Sequence, residues 1–279
     1  MLERLKAWPF YFLQHHAISW LMYVLARIRF TPLKNLIIRS YTAIIDIDMS
    51  EAVVEERFAY ASLNAFFTRE IKPERRPFAD EPDLLCPVDG AVSQAGTIHD
   101  DRIFQAKGHE YTLHELLAGD SHMVERFRGG RFATLYLSPR DYHRIHMPET
   151  GKLKTMRYVP GRLFSVATHT VNHIPRLFAR NERVVCHFDT GFGDMAMILV
   201  GAINVSAIET VWHGLVKGRG VTEFDVAESN IELSRGEEMG RFNLGSTVIV
   251  LLPDGMEWDA SIRAGEPVRL GQALARQAN

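Results

Sequence analysis

Only two cysteines, Cys86 and Cys186, occur in the 279 residues. That is too few for a disulfide framework or a cysteine-built zinc site, and free thiols in a reducing compartment are expected. Net charge is nearly absent as well: 32 basic side chains against 34 acidic ones leave −2. Such a balance gives no global signal for nucleic acid as a partner. The longest uncharged stretch, Ala7 to Ala26, is interrupted by Pro9, Gln14, His15 and His16, which makes a poor bilayer-spanning helix. No small-residue cleavage site follows a short apolar core, so a removable signal peptide fits badly. HExxH, CxxC and GxSxG are all missing, which disfavours a zincin, a cysteine-built zinc centre and an ordinary α/β-hydrolase. There is no internal repeat and no low-complexity tract.

What is present is a folding composition, 46% hydrophobic and 24% charged, in a chain long enough for one large domain or two modest ones. Charge is uneven. Residues 1–40 carry Arg4, Lys6, Arg27, Arg29, Lys34 and Arg39 against Glu3 alone, six cations less one anion for a local +5. The same stretch is rich in Trp, Tyr, Phe, Leu and Ile, and Ile18, Leu21, Met22, Leu25 and Ile28 follow helical spacing. These features predict helices lying in a membrane interface, cations toward anionic headgroups and the apolar side in the acyl boundary. The alternative is that they pack on a soluble domain with the cations solvated, and the local positive charge favours the interface.

Pro32 interrupts the first helical pattern, and a second apolar stretch runs from Leu33 to Ile45. Ser50 with Glu51 reads as a helix start for a pattern ending near Phe67. The charged, proline-rich TREIKPERRPFADEP at 68–82 reads as a boundary. Beyond it, short runs rich in Val, Ile, Thr and aromatics recur: AVSQAGTI, RFATLYL, KLKTMRYV, RVVCHF, MAMILVGAINVSAIETVW and STVIVLL. They predict an antiparallel β domain with few helices, one of them at TLHELLAG, 112–119. The expected fold is α+β: N-terminal membrane-facing helices on a mainly antiparallel β domain, a compact sandwich or barrel.

Three places hold residues with chemistry. In CPVDGAVSQAG, Asp89-Gly90 reads as a turn between strands, and a plain hairpin aspartate is the simpler account. In SPRDYHRIHMP, His143 and His146 stand three apart, which on a helix puts both imidazoles on one face as a metal or acid–base pair. A zinc site needs a third ligand that the context does not supply, so no metal is expected. In RFNLGSTVIVLLP, the Gly245-Ser246 pair opens a strongly β-forming run, where glycine ordinarily marks a turn or bulge. Asp89, His146 and Ser246 also make a possible triad, since triads are defined by geometry and not by chain order.

Taken together, these stretches resemble the bacterial phosphatidylserine decarboxylases. The likeness is carried in order by SLNAFFTREIKPERRP (62–77), CPVDGAVSQAG (86–96), QAKGHEYTLHELLAG (105–119) and YLSPRDYHRIHMP (136–148). It continues through YVPGRLFSV (158–166), LFARNERVV (177–185) and GEEMGRFNLGSTVIVLL (236–252). The resemblance implies that the chain cuts itself at Gly245–Ser246 into a β chain, 1–245, and an α chain, 246–279. Ser246 then becomes a covalent pyruvoyl cofactor. It implies Asp89, His146 and Ser246 as the maturation set, with His146 as base and Asp89 orienting it, and His143 in decarboxylation. The implied reaction turns phosphatidylserine into phosphatidylethanolamine through a Schiff base with the pyruvoyl group. The implied organisation is a membrane-associating helical region, 1–70, and a β-rich pyruvoyl domain, 71–279.

The implied partners are an anionic phospholipid membrane, the phosphatidylserine substrate, and the α and β chains for each other, with a dimer of that unit also suggested. The implied place is peripheral, on the cytoplasmic face of the cell membrane. Two other classes fit parts of the same sequence. A serine hydrolase would use the three residues on an external ester, and a non-catalytic membrane-binding β module would keep only the shape.

Overall fold

The computed structural model describes residues 15–81, 83–203, 207–226, 229–243 and 246–278. Gly245 and the residues before His15, both part of the expectations above, lie outside them. The described chain is mixed α+β, with antiparallel sheets and few helices.

Two helices open the fold, His15–Ala26 and Thr31–Ile44. Pro32 starts the second one instead of merely ending the first. In the opening turn its missing N–H costs nothing and its fixed φ suits the helix. The long helix expected from Ser50 to Phe67 is not formed. Short 3-10 turns at Met49–Glu51 and Arg57–Ala59 precede a five-residue helix, Leu63–Phe67. The cause is local: the side chains of Asp48, Glu56 and Ser62 accept from the backbone N–H groups of Ser50, Phe58 and Ala65, restarting the chain three times. At Thr112 a reciprocal capping box with Glu115 starts the expected helix, observed as Leu113–Leu116.

The first two helices and Leu63–Phe67 share a small core of their own, built on Ala26, Ile38, Leu63, Phe66 and Phe67. Their other side is left apolar and open: Trp20, Phe30 and Ile44 are 67%, 69% and 83% exposed. Two of the expected headgroup-facing cations are turned elsewhere. Lys34 is buried and donates to the Phe58 carbonyl at 2.7 Å, and Arg27 lies over the Tyr23 ring at 3.7 Å. No helix among the described residues is long and apolar enough to cross a membrane.

The β part is dominated by one nine-stranded antiparallel sheet. Its order runs Thr222–Phe224, Gly151–Val159, Arg183–Thr190, Gly193–Gly201, Ser246–Leu252, Arg131–Leu137, Gly90–Thr97, Pro267–Val268, with Glu232–Leu233 also on Gly151–Val159. Its two end strands do not pair with each other, so this sheet is open and does not close into a barrel among the described residues. The strand STVIVLL is buried at every position and lies inside the sheet, bonded on both sides. That accounts for an unbroken apolar run where a half-solvated strand would alternate. A four-stranded sheet carries Gly214–Val216, Ile208–Thr210, Glu238–Phe242 and Arg144–His146, and a three-stranded one carries Leu84–Leu85, Ala273–Gln277 and Met256–Trp258.

Candidate active site

Ser246 enters the large sheet opposite Leu137 on one side and Gly201 on the other. Its side chain is fully buried, and among the described residues Oγ has no hydrogen-bond partner. A buried hydroxyl without a partner is costly, and Ser246 Oγ is one of several such atoms among the described residues. Ser246 borders a cavity of about 250 Å³. Met22, Tyr41 and Phe67 of the N-terminal layer line it together with Tyr136 and Leu137 of the sheet. The cavity therefore lies where two separate cores meet.

His143 and His146 do not share a helix face. Residues 144–146 form a strand against Glu238–Phe242, and the His143 carbonyl continues that ladder by accepting from Phe242 N–H. In an extended chain, positions three apart fall on opposite faces. The two imidazoles accordingly find different surroundings.

His143 is completely buried. Its Nδ1 lies 2.8 Å from the Asp141 carbonyl, which can only accept, so Nδ1 carries the proton and Nε2 is a bare acceptor. Among the described residues that Nε2 has no hydrogen-bond partner. The ring packs on Phe67 with centroids 4.0 Å apart, and Phe67 also borders the Ser246 cavity. Burial pushes the His143 pKa down to about 3, so the ring is neutral at physiological pH.

His146 has both nitrogens engaged. Nδ1 donates to the Gly236 carbonyl at 2.8 Å, which leaves Nε2 to accept from the Tyr142 phenol at 3.1 Å. Burial, before any other cause, holds its pKa below the usual histidine value.

Among the described residues Asp89 makes no hydrogen bond to either histidine. Its carboxylate is gripped by Arg76, Nη2 at 2.6 Å and Nε at 2.9 Å, and accepts from Leu270 N–H at 2.9 Å. Arg76 reaches on to Glu51 at 2.7 Å, so a buried guanidinium is shared by two acids. The backbone brings the Asp89 turn beside His146 all the same, because His146 N–H donates to the Pro87 carbonyl. Asp89 and Tyr142 line a second cavity of about 360 Å³.

The profile of the phosphatidylserine decarboxylase family matches residues 63–276, and a second profile described as PSD matches 5–43. The phosphatidylserine decarboxylase proenzyme of Alkalilimnicola ehrlichii is 54% identical over 255 residues, covering 90% of this chain and 88% of that protein. The proenzyme of Bordetella pertussis is 52% identical over 276 residues, 96% of this chain and 93% of that one. The proenzyme of Pseudomonas putida is 52% identical over 275 residues, 96% of each. The chain belongs to the phosphatidylserine decarboxylase family.

All four candidate residues of this phosphatidylserine decarboxylase family member fall within the 63–276 match, and both long helices fall within or overlap the 5–43 match. Three side chains at the site were not singled out from the sequence: Phe67 against His143, Tyr142 on His146, and Arg76 on Asp89. Each lies in a stretch that carries the family resemblance, FFTRE, KPERRP or RDYHR. Nothing in those letters distinguishes a buried contact from a core aromatic or a solvated cation.

Proposed function

We propose that this chain is a pyruvoyl-dependent phosphatidylserine decarboxylase that matures by cutting itself between Gly245 and Ser246. The observation that carries the reading is the Ser246 hydroxyl, fully buried and unpartnered at the mouth of a central strand, facing a cavity with His143 behind its Phe67 wall. In maturation Ser246 Oγ adds to the Gly245 carbonyl and the amide becomes an ester. Elimination frees the Gly245 carboxylate and leaves dehydroalanine, and one water replaces one ammonia to give the ketone. His146 takes the hydroxyl proton as general base. Gly236 and Tyr142 orient its ring, while Asp89, fixed by Arg76, places a negative charge nearby that favours the protonated imidazole.

Ser246 fits the group it is proposed to become, since a residue heading the α chain there would sit in the cavity wall. A pyruvoyl group supplies a carbonyl carbon that joins the substrate amine and draws off the electron pair released as carbon dioxide leaves. The chain's residues supply the rest. Met22, Phe67, Leu137 and Val166 make a largely apolar lining that solvates a carboxylate poorly and its charge-dispersed transition state relatively well. His143, neutral and with Nε2 free, relays a proton from water to the substrate carbon rather than binding the carboxylate, because a bare acceptor nitrogen repels an anion.

The two chains stay associated after the cut. Ser246–Leu252 is bonded to both neighbours in the large sheet, Ala273–Gln277 pairs with Leu84–Leu85, and Pro267–Val268 pairs with Gly90–Thr97. The N-terminal helices hold the enzyme peripherally on anionic phospholipid at the cytoplasmic face. Their exposed Trp20, Leu21, Phe30, Leu33 and Leu36 enter the interface, while Met22 and Tyr41 border the cavity from the same layer. Acyl chains thus remain in lipid, which matters because each transferred methylene is worth about 0.8 kcal/mol.

Intact-mass measurement of the purified protein tests the reading. Two fragments are expected, the 246–279 piece lighter than its encoded peptide by one ammonia, with Ser246→Ala remaining one chain. An uncut chain labelled at Ser246 by a fluorophosphonate would assign a serine hydrolase instead.

A further inference from the structure

His146 can serve as a base only when Nε2 keeps its lone pair, and in this structure that lone pair already has an occupant. The Tyr142 hydroxyl lies 3.1 Å from Nε2, and the two rings pack at 5.7 Å with 32° between their planes. The direction of the bond follows from the other nitrogen. Gly236 offers a carbonyl 2.8 Å from Nδ1, so Nδ1 donates, Nε2 accepts, and the phenol must be the donor. Tyr142 is itself buried, and burial pushes its pKa up, so it retains the proton it donates.

We propose that Tyr142 is a positioning residue for self-cleavage, holding His146 in the neutral Nδ1–H tautomer and keeping Nε2 unprotonated until the phenol gives up that lone pair to the Ser246 proton. The inference rests on the reading that His146 is the base of maturation. A donor bonded to the neutral nitrogen favours the neutral ring, so Tyr142 extends the base form toward lower pH. The other groups acting on this ring are Glu238 on the paired strand, Arg144 on its own strand and Asp89 in the adjoining turn. Glu238 is bonded to Arg144 at 2.9 Å and to Arg241 at 2.7 Å, and Asp89 to Arg76, so none of the three supplies the Nε2 contact. Removing the phenolic hydroxyl takes away the only hydrogen bond on that nitrogen among the described residues without altering those charges.

The test is the pH profile of cleavage. Full-length precursor made by cell-free translation is chased between pH 5.5 and 8.5, and the 1–245 and 246–279 fragments are followed on gels. Tyr142→Phe is expected to move the ascending limb to higher pH by about half a unit to one unit, the scale of one neutral hydrogen bond. Rates on the plateau should stay within about threefold. A uniform fall at every pH with the limb unmoved, as a packing defect produces, overturns the proposal. Replacing Tyr142 by 3-fluorotyrosine, a stronger donor of nearly the same shape, is expected to move the limb the opposite way. Should Tyr142→Phe yield no folded chain, this second replacement decides: a lowered limb supports the proposal and an unmoved one refutes it. His146→Ala separates the two failures. If it cleaves at the unmodified rate, His146 is not the base and the proposal falls with it; if it does not cleave and the Tyr142 limbs are unmoved, only the role of Tyr142 fails.

Discussion

Acidification should weaken this fold through His143 in a way that one substitution removes. The ring is completely buried, and its pKa falls from an ordinary 6.5 to about 3. Between those two values the unfolded chain binds a proton that the folded chain refuses, so stability rises with pH across the window. The contribution is fully present above about pH 6.5 and is lost as pH falls toward 3. The linkage relation puts the loss at about 2 kcal/mol on going from pH 7.5 to 5, and about 3 kcal/mol at pH 4.

Ser246→Ala is the reference, since on the proposed cleavage it keeps the chain in one piece, and Ser246→Ala with His143→Asn is the comparison. The Asn amide can still donate to the Asp141 carbonyl but does not titrate. Urea unfolding in detergent micelles at pH 7.5, 6 and 5 should show the histidine chain losing about 2 kcal/mol more than the asparagine chain. Other groups, His146 among them, titrate in both chains and cancel. Parallel stability curves would show that His143 is protonated in the fold near its ordinary pH. They would also remove the argument that it meets the substrate as a neutral acceptor.

Arg76→Met should destabilise the Ser246→Ala precursor by about 3–5 kcal/mol in urea unfolding, because Asp89 and Glu51 lose the cation they share. Adding Asp89→Leu should recover part of that loss; a cost under about 1 kcal/mol for Arg76→Met alone would show the triad to be solvated. Gly90→Ala should leave the precursor uncleaved or insoluble on gels, since a Cβ there stands 2.2 Å from the Tyr136 carbonyl oxygen inside a strand pairing. Normal fragments at normal yield would mean the two strands are farther apart. Trp20→Glu, Leu21→Glu and Leu36→Glu together should reduce sedimentation with anionic vesicles on the order of 100-fold, from the apolar area those side chains leave exposed. Unchanged sedimentation would place the membrane contact elsewhere.

Local composition was a good guide where local physics decides the outcome. RFATLYL and STVIVLL become strands over the expected residues, and Thr112 with Glu115 starts its helix, because β-branched runs and reciprocal caps act within a few residues. The histidine pair shares a face only if the chain there is helical. Spacing of three says nothing about whether the chain is coiled or extended, and here a strand some 90 residues downstream makes it extended. The charged, proline-rich segment 68–82 reads as a boundary, and its composition does not show that Arg69 and Arg76 within it are buried. Their charges are tolerated only through distant groups: Arg76 bonds Asp89 and Glu51, and Arg69 reaches the Arg140 carbonyl.

From its letters alone this chain declares a family, a β-rich body behind basic apolar helices, and a Gly-Ser pair where a strand begins. Those are properties of contiguous residues, and short-range sterics and solvation suffice to read them. Tertiary structure decided the rest: that Ser246 faces a cavity roofed by a separate helical core, that the two histidines serve different surroundings, and that Asp89 is held by Arg76 and not by an imidazole. Desolvation and hydrogen-bond pairing set those outcomes, and both depend on which remote segments are packed against each group.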